Sequence, residues 1–187
     1  METVHFTQQT FRAIMECFAS PGELKKLDVQ LSMAGLYDAT ASLCITLLDG
    51  EVSYFSFSEG DIDIQAWTGA KKAAIELADF IIVSSDATEE QVIRAIHSAK
   101  IGNLINPQQS ATIIIEISNE TQPKTYKLTG PGIQTKRIIS CNLPTSFIKE
   151  RAHKNKEFPL GVDVVIVDSS ANLFALPRTT QIEEVEE

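Results

Sequence analysis

The stretch FIIVSSDATEEQVIRAIHSAKIGNLINPQQSATIIIEI, residues 80–117, decides the fold. Its first four residues, Phe80 to Val83, form an apolar run rich in β-branching, with no polar alternation. That pattern belongs to a strand covered on both faces. Thr88-Glu89-Glu90-Gln91 then matches a capping box, in which a threonine hydroxyl and a glutamine side chain satisfy the free amides of a helix start. Val92, Ile93, Ile96 and Ala99 recur at helical spacing, and Gly102 suits the C-terminal cap. After the loop INPQQS, TIIIEI begins a second apolar strand at Thr112. Strand, helix and strand over this length predict a right-handed βαβ crossover with parallel pairing.

Working toward the N-terminus, the spacing predicts a helix over 7–19, with Phe11, Ile14, Met15 and Phe18 as its apolar stripe. Ser20-Pro21-Gly22 ends it, because proline cannot continue the hydrogen-bond ladder. Residues 39–48 are apolar without a decisive period. Asp49-Gly50 turns into VSYFSFS, an alternating strand, and a short helix is expected over 62–67. Toward the C-terminus, TIIIEI, the polar loop SNETQP and TYKLTG read as an antiparallel hairpin. A helix is expected over 145–154. VDVVIVD, SSAN and LFALP read as a further hairpin. With no repeat and no break in composition, residues 1–187 read as one α/β domain around a mixed sheet, and residues 181–187 as a frayed acidic tail.

A hydrophobic content of 43% with 22% charged residues is that of an ordinary globular chain. No apolar run approaches the roughly 20 residues that span a bilayer. METVHFTQQTF has neither the basic nor the apolar region of a signal peptide, and three widely spaced cysteines make no disulfide framework, so the expected location is the cytoplasm. The net charge of −9 argues against nucleic-acid binding. Residues 121–156 hold eight basic residues against Glu150 alone, +7 in a chain whose remainder carries −16. Such asymmetry suggests either a basic face for an anion or acidic partner, or a solvated basic surface.

Familiar chemistries are mostly excluded. There is no GxxxxGK[ST] loop. His5, His97 and His153 have no second ligand at metal spacing and read as surface or capping residues. Asp61-Ile62-Asp63 could hold magnesium but reads more simply as acids at a helix start. Ser146 and Lys149 match SxxK without its companion boxes. Cys17 reads as core, and Cys141 is the thiol nearest positive charge. No catalytic residue is named.

LTGPGIQTKR, residues 128–137, has two readings. In one, the amides of Gly130, Gly132 and Ile133 cradle a phosphate beside Lys136 and Arg137. In the other it is a turn needing a glycine with positive φ. Thr135 stands where a dinucleotide fingerprint wants its third glycine, and Pro131 removes one amide, so a shaped turn bordering a basic face is the stronger reading. Arg178 similarly either binds a phosphoryl oxygen through its planar fork or pairs with a carboxylate, for which Asp163 is the natural candidate.

Four segments in order, TFRAIMECFASPGEL from Thr10, LTGPGI from Leu128, FPLGVD from Phe158 and ALPRTT from Ala175, together resemble the PhnH family, a subunit of the bacterial carbon–phosphorus lyase system. Phe18 stands where that family often has methionine, apolar for apolar. The resemblance implies a three-layer αβα fold with a mixed sheet, similar to the large domain of pyridoxal-phosphate-dependent transferases but without that cofactor. It implies partners PhnG, PhnI and PhnJ in a core complex, with PhnL in the transfer step, and a homodimer when isolated. The reaction it implies displaces adenine from MgATP with methylphosphonate, giving α-D-ribose 1-methylphosphonate 5-triphosphate. Gly130, Gly132, Ile133, Lys136, Arg137 and Arg178 are then the candidate contacts to phosphonate, phosphate or a partner. The alternatives are a scaffold that binds no substrate and a self-sufficient transferase.

Overall fold

A computed structural model describes residues 2–29, 31–58, 61–118 and 123–185. In chain order the elements are α1 (Glu2–Ala19), β1 (Lys25–Lys26), α2 (Asp38–Leu47), β2 (Ser53–Ser56), α3 (Asp61–Thr68), β3 (Lys71–Lys72), β4 (Phe80–Val83) and α4 (Glu89–Ser98). There follow β5 (Thr112–Ile117), β6 (Lys124–Thr129), β7 (Arg137–Cys141), α5 (Thr145–Lys154), β8 (Asp163–Asp168), β9 (Asn172–Leu176) and β10 (Gln181–Glu184).

The fold is α/β with a mixed sheet of seven strands in the order β1-β9-β8-β5-β4-β2-β3. β4 and β5 pair in parallel, Phe80 opposite Thr112 through Val83 opposite Ile115, with α4 as the crossover. β5 also pairs in parallel with β8, and β8 turns back antiparallel into β9. Both expected units are present. Thr88 caps α4 with the reciprocal capping box, its hydroxyl accepting from the Gln91 amide.

Side chains alternate across this sheet. Ile81, Ile113, Ile115, Val164 and Ile166 bury one face beneath α4 and α5. Ile114, Val165 and Val167 bury the other beneath α1 and α2, where Ile82 meets Ile64 of α3. Helices therefore cover both faces. None of the described helices is long and apolar enough to cross a membrane.

Several expectations change. β6 does not form a hairpin with β5. It lies in a second sheet, β10-β6-β7, whose Tyr126 and Leu128 pack on the α4–α5 side. Both flanks of β5 are already taken by β4 and β8, so the chain must leave the central sheet at that point. Part of the SNETQP loop lies outside the described residues. β7 lies in a stretch that the sequence reading left without a strand. Residues 181–184 are not a frayed end: Gln181 to Glu184 pair along Thr129 to Tyr126. Residues 186–187 lie outside the described residues. The buried stripe of α1 is Phe6, Thr10, Ile14 and Cys17, while Phe11 is 51% and Met15 53% exposed. Finally, α4 is capped by Ala99, and Gly102 (φ 76°) serves the following loop, where a Cβ would lie 2.7 Å from the Pro107 carbonyl.

Candidate functional site

The four sequence boxes, spread from residue 10 to residue 180, meet in space. Proline stops α1 at Ala19, and Gly22 (φ 74°) returns the chain so that its amide donates to the Ala175 carbonyl of β9 (3.0 Å). Gly132 packs against the end of α1, where a Cβ would lie 2.4 Å from the Ala19 carbonyl oxygen. Gly130 abuts Thr179, and Gly161 abuts Asn155 and Arg178. The boxes are thus contact points among loops, and three of the four need a residue without a side chain, while ALPRTT supplies surfaces that Gly130 and Gly161 pack against.

The GPG loop is a turn. The Ile133 amide donates to the Gly130 carbonyl (3.1 Å), Pro131 occupies the second position and Gly132 has φ 81° at the third, the type II arrangement. The Ile133 amide is therefore spent within the turn, which removes it from the set of anion donors. Arg137, at the start of β7, donates Nη1 to the carbonyls of Ser20 (2.8 Å) and Pro21 (2.6 Å), with Glu23 3.8 Å from Nη2. A cation over carbonyls at a helix C-terminus is an electrostatically favourable placement. Lys136 is exposed and forms no ion pair with a described residue.

Arg178 is saturated. Its amide and Nε donate to Asp163 Oδ1 (2.7 and 3.3 Å), and Nη2 donates to Asp163 Oδ2 (2.5 Å) and Ser110 Oγ (2.5 Å). Nη1 donates to the carbonyls of Pro107 and Pro159, both at 3.2 Å. All five guanidinium N–H groups of an arginine are accounted for by these bonds. The carboxylate alternative for Arg178, with Asp163 as partner, is the arrangement found. GPG, Arg137 and Arg178 share one neighbourhood, and both arginines are engaged by the protein itself.

One functional-looking residue escaped the sequence reading. Arg151 of α5 is only 2% exposed; Nη1 donates to the Thr180 carbonyl (3.0 Å) and Nη2 to those of Leu176 (3.0 Å) and Pro177 (2.5 Å). It thus holds the LPRTT turn from beneath. Burial pulls its pKa down to about 10, against the opposing pull of Asp163. Its position four residues after Phe147 and three after Ile148, both buried, was the available signal.

The basic segment is less free than its sequence suggests. Lys124 pairs with Glu184 (3.0 Å) and Lys127 with Glu183 (2.6 Å), so β10 brings acids onto it, and Lys154 donates to the His97 carbonyl (2.6 Å). The remaining candidates are inert here. All three cysteines are buried, and burial pushes Cys17 and Cys141 up to about 11 and Cys44 to about 12. The Ser146 hydroxyl donates to Glu89 (2.6 Å). Asp63 accepts from the Ala34 amide (3.2 Å), while the side chain of Asp61 lies outside the described residues. Among the described residues no group of histidine, cysteine and carboxylate side chains could hold a metal ion.

Comparison with known proteins agrees with the converging boxes. A putative C-P lyase subunit protein, HtxG, of Stutzerimonas stutzeri is 30% identical over 180 residues, spanning 94% of this chain and 85% of that protein. The alpha-D-ribose 1-methylphosphonate 5-triphosphate synthase subunit PhnH of Rhizobium meliloti (strain 1021) is 28% identical over 192 residues, spanning 97% and 92%. The sequence profile of the bacterial phosphonate metabolism protein (PhnH) family matches residues 1–183. The chain belongs to the PhnH family of bacterial phosphonate metabolism proteins.

Proposed function

We propose that the chain is a subunit of a carbon–phosphorus lyase complex, acting in the cytoplasm with PhnG, PhnI and PhnJ, and with PhnL in the transfer step. In this reading it supports formation of α-D-ribose 1-methylphosphonate 5-triphosphate from MgATP and methylphosphonate. A phosphonate oxygen bonds to the anomeric carbon as the glycosidic bond to adenine breaks, and adenine leaves with that electron pair. The observation that carries the reading is the family match over residues 1–183, with the name of the Rhizobium relative supplying the reaction.

The chain's own share is support rather than bond-making. Its thiols are buried, and among the described residues no group of histidine, cysteine and carboxylate side chains could hold a metal ion. The reading includes the αβα architecture of pyridoxal-phosphate-dependent transferases but no pyridoxal phosphate. Two like-charged anions meet in the transfer, so cations placed near them lower the barrier. Among the earlier candidates, Lys136 is the cation with no ion-pair partner among the described residues.

A scaffold that binds no substrate is the second reading. What favours it is the complete engagement of Arg178 and the grip of Arg137 on carbonyls. Phosphorus NMR of MgATP and methylphosphonate, incubated with the G, I and L subunits with and without this chain, tests the first reading. A ribose phosphonate signal that requires the chain is the expected result. The same signal without it leaves the scaffold role, and turnover by the chain alone overturns both.

A further inference from the structure

We propose that the outer edge of β7 is a docking strand for a partner subunit, taking up an extended acidic segment of that subunit as a fourth strand of the β10-β6-β7 sheet. The proposal rests on the reading of the chain as one subunit of a complex. A bare strand edge pairs with any other strand that meets it, so proteins blunt such edges. Among the described residues, three of the four sheet edges are blunted. β1 and β3, the margins of the seven-stranded sheet, are each only two residues long and consist of adjacent lysines, Lys25-Lys26 and Lys71-Lys72. β10 runs beside α5, whose Thr145 hydroxyl donates to Glu184 (2.8 Å). β7 has none of these devices.

The ladder fixes which groups of β7 face outward. The Val185 amide donates to the Thr125 carbonyl (2.9 Å), so the odd-numbered residues of β6 bond toward β10 and the even-numbered ones toward β7. Tyr126 lies opposite Ile139 and Leu128 opposite Arg137, which turns the amides and carbonyls of Ile138 and Ser140 away from the sheet. Among the described residues, no backbone group bonds to them there. Both side chains are exposed, Ile138 at 51%. Two amide–carbonyl pairs set two residues apart match the repeat of a β-strand, and that spacing specifies extended backbone as the occupant.

Charge selects among extended segments. Arg137, the charged residue within β7, is turned onto the Ser20 and Pro21 carbonyls and does not guard the edge. Lys136, directly before β7, is exposed with no ion-pair partner among the described residues. A second copy's β7 contains no acid and would bring its own Lys136 and Arg137 to the contact. A strand from another subunit, with an aspartate or glutamate beside Lys136 and an apolar residue beside Ile138, complements both.

The test uses the full-length chain with the purified G, I and J subunits. Ser140→Pro removes an outward amide that makes no ladder bond, Ile138→Lys blunts the edge, and Lys136→Glu reverses the charge beside it. Each is expected to weaken capture by the subunits at least about 10-fold, while the unfolding midpoint of the chain alone stays within about 3 °C of the parent. Hydrogen exchange adds a readout that a general packing defect does not give: the Ile138 and Ser140 amides are expected to gain protection in the complex. Parental capture by all three variants, or no gain in protection at these amides, overturns the docking strand and leaves the subunit reading standing. A parent chain that the subunits do not capture overturns that reading and the docking strand with it. A dimer of the isolated chain that Ser140→Pro dissolves assigns the edge to a second copy and overturns the partner assignment.

Discussion

Arg178 and Asp163 form a closed fork: Nε and Nη2 of the arginine reach the two carboxylate oxygens, and the arginine's own amide reaches the first of them again. The pair locks the LPRTT turn to the first residue of β8, a central strand. With side chains 17% and 20% exposed, neither partner is well served by water when the other is lost. Arg178→Ala is expected to destabilise the chain by about 3 kcal/mol, and Arg178→Lys by somewhat less, since an ammonium cannot reproduce the planar fork. Urea denaturation measures both. A fully stable Arg178→Ala would sink the structural assignment and return Arg178 to the ligand-binding candidates.

The glycines of the boxes make a second prediction. Gly132→Ala places a Cβ 2.4 Å from the Ala19 carbonyl at φ 81°, so it is expected to cost roughly 2–4 kcal/mol. Gly50→Ala is its control: a Cβ there has nothing closer than 4.0 Å and needs no left-handed backbone. That substitution should stay within about 0.5 kcal/mol. Equal midpoints for the two variants would contradict the close packing of the GPG turn on α1.

Two carboxyls make opposite contributions to pH dependence. Burial alone would raise Asp79, but the Lys100 ammonium (2.5 Å) and the hydroxyl and amide of Ser53 (2.6 and 2.7 Å) outweigh it and hold the pKa down. Its contribution is present above the unfolded pKa of about 3.9 and is lost as pH falls through the lower folded value. Glu116 goes the other way, because burial raises it despite amide bonds from Tyr37 (2.6 Å) and Ser85 (3.0 Å). Ionised Glu116 therefore costs stability once pH rises above about 4.3 and through its folded pKa, and protonation relieves that cost. Urea midpoints across pH 3–7 should show Asp79→Asn removing an acid-sensitive component. Glu116→Gln should remove a loss that grows with rising pH. Unchanged profiles in either variant contradict the corresponding shift.

The exposed flank of α1 bears on assembly. Phe11 and Met15, one turn apart and each about half exposed, share a side of the helix with Val4, 73% exposed. Phe11→Ser and Met15→Ser are expected to leave the unfolding midpoint within about 0.5 kcal/mol while weakening association with partner subunits or a second copy. Sedimentation of the chain alone and pull-down with the core subunits would read this. Full association in the double variant removes α1 from the interface.

Legibility followed locality. β4–α4–β5 and β8–β9 were readable because runs, caps and turns encode them within a few residues. The phase of α1 was not, since apolar residues lie on two adjacent flanks and Thr10 and Cys17 are buried while Phe11 and Met15 are not. β6 was recognised as a strand but assigned the wrong neighbour, because pairing depends on edges that only the assembled sheet defines. The candidate site divided in the same way. The turn reading of GPG and the Arg178–Asp163 pairing follow from residue chemistry. The burial of Arg151 was hidden by the habit of counting arginine as surface.

The anchoring of α1 also governs when the chain can fold. Its buried stripe rests on β9 and β8, Gly22 is tied to Ala175, and Arg137 reaches back to Ser20. α1 thus has its seat made by residues far later in the chain, and contacts of such long sequence separation form slowly. During synthesis α1 must wait with its apolar flanks uncovered until β9 emerges, a window in which a chaperone or an already folded partner would find it most accessible.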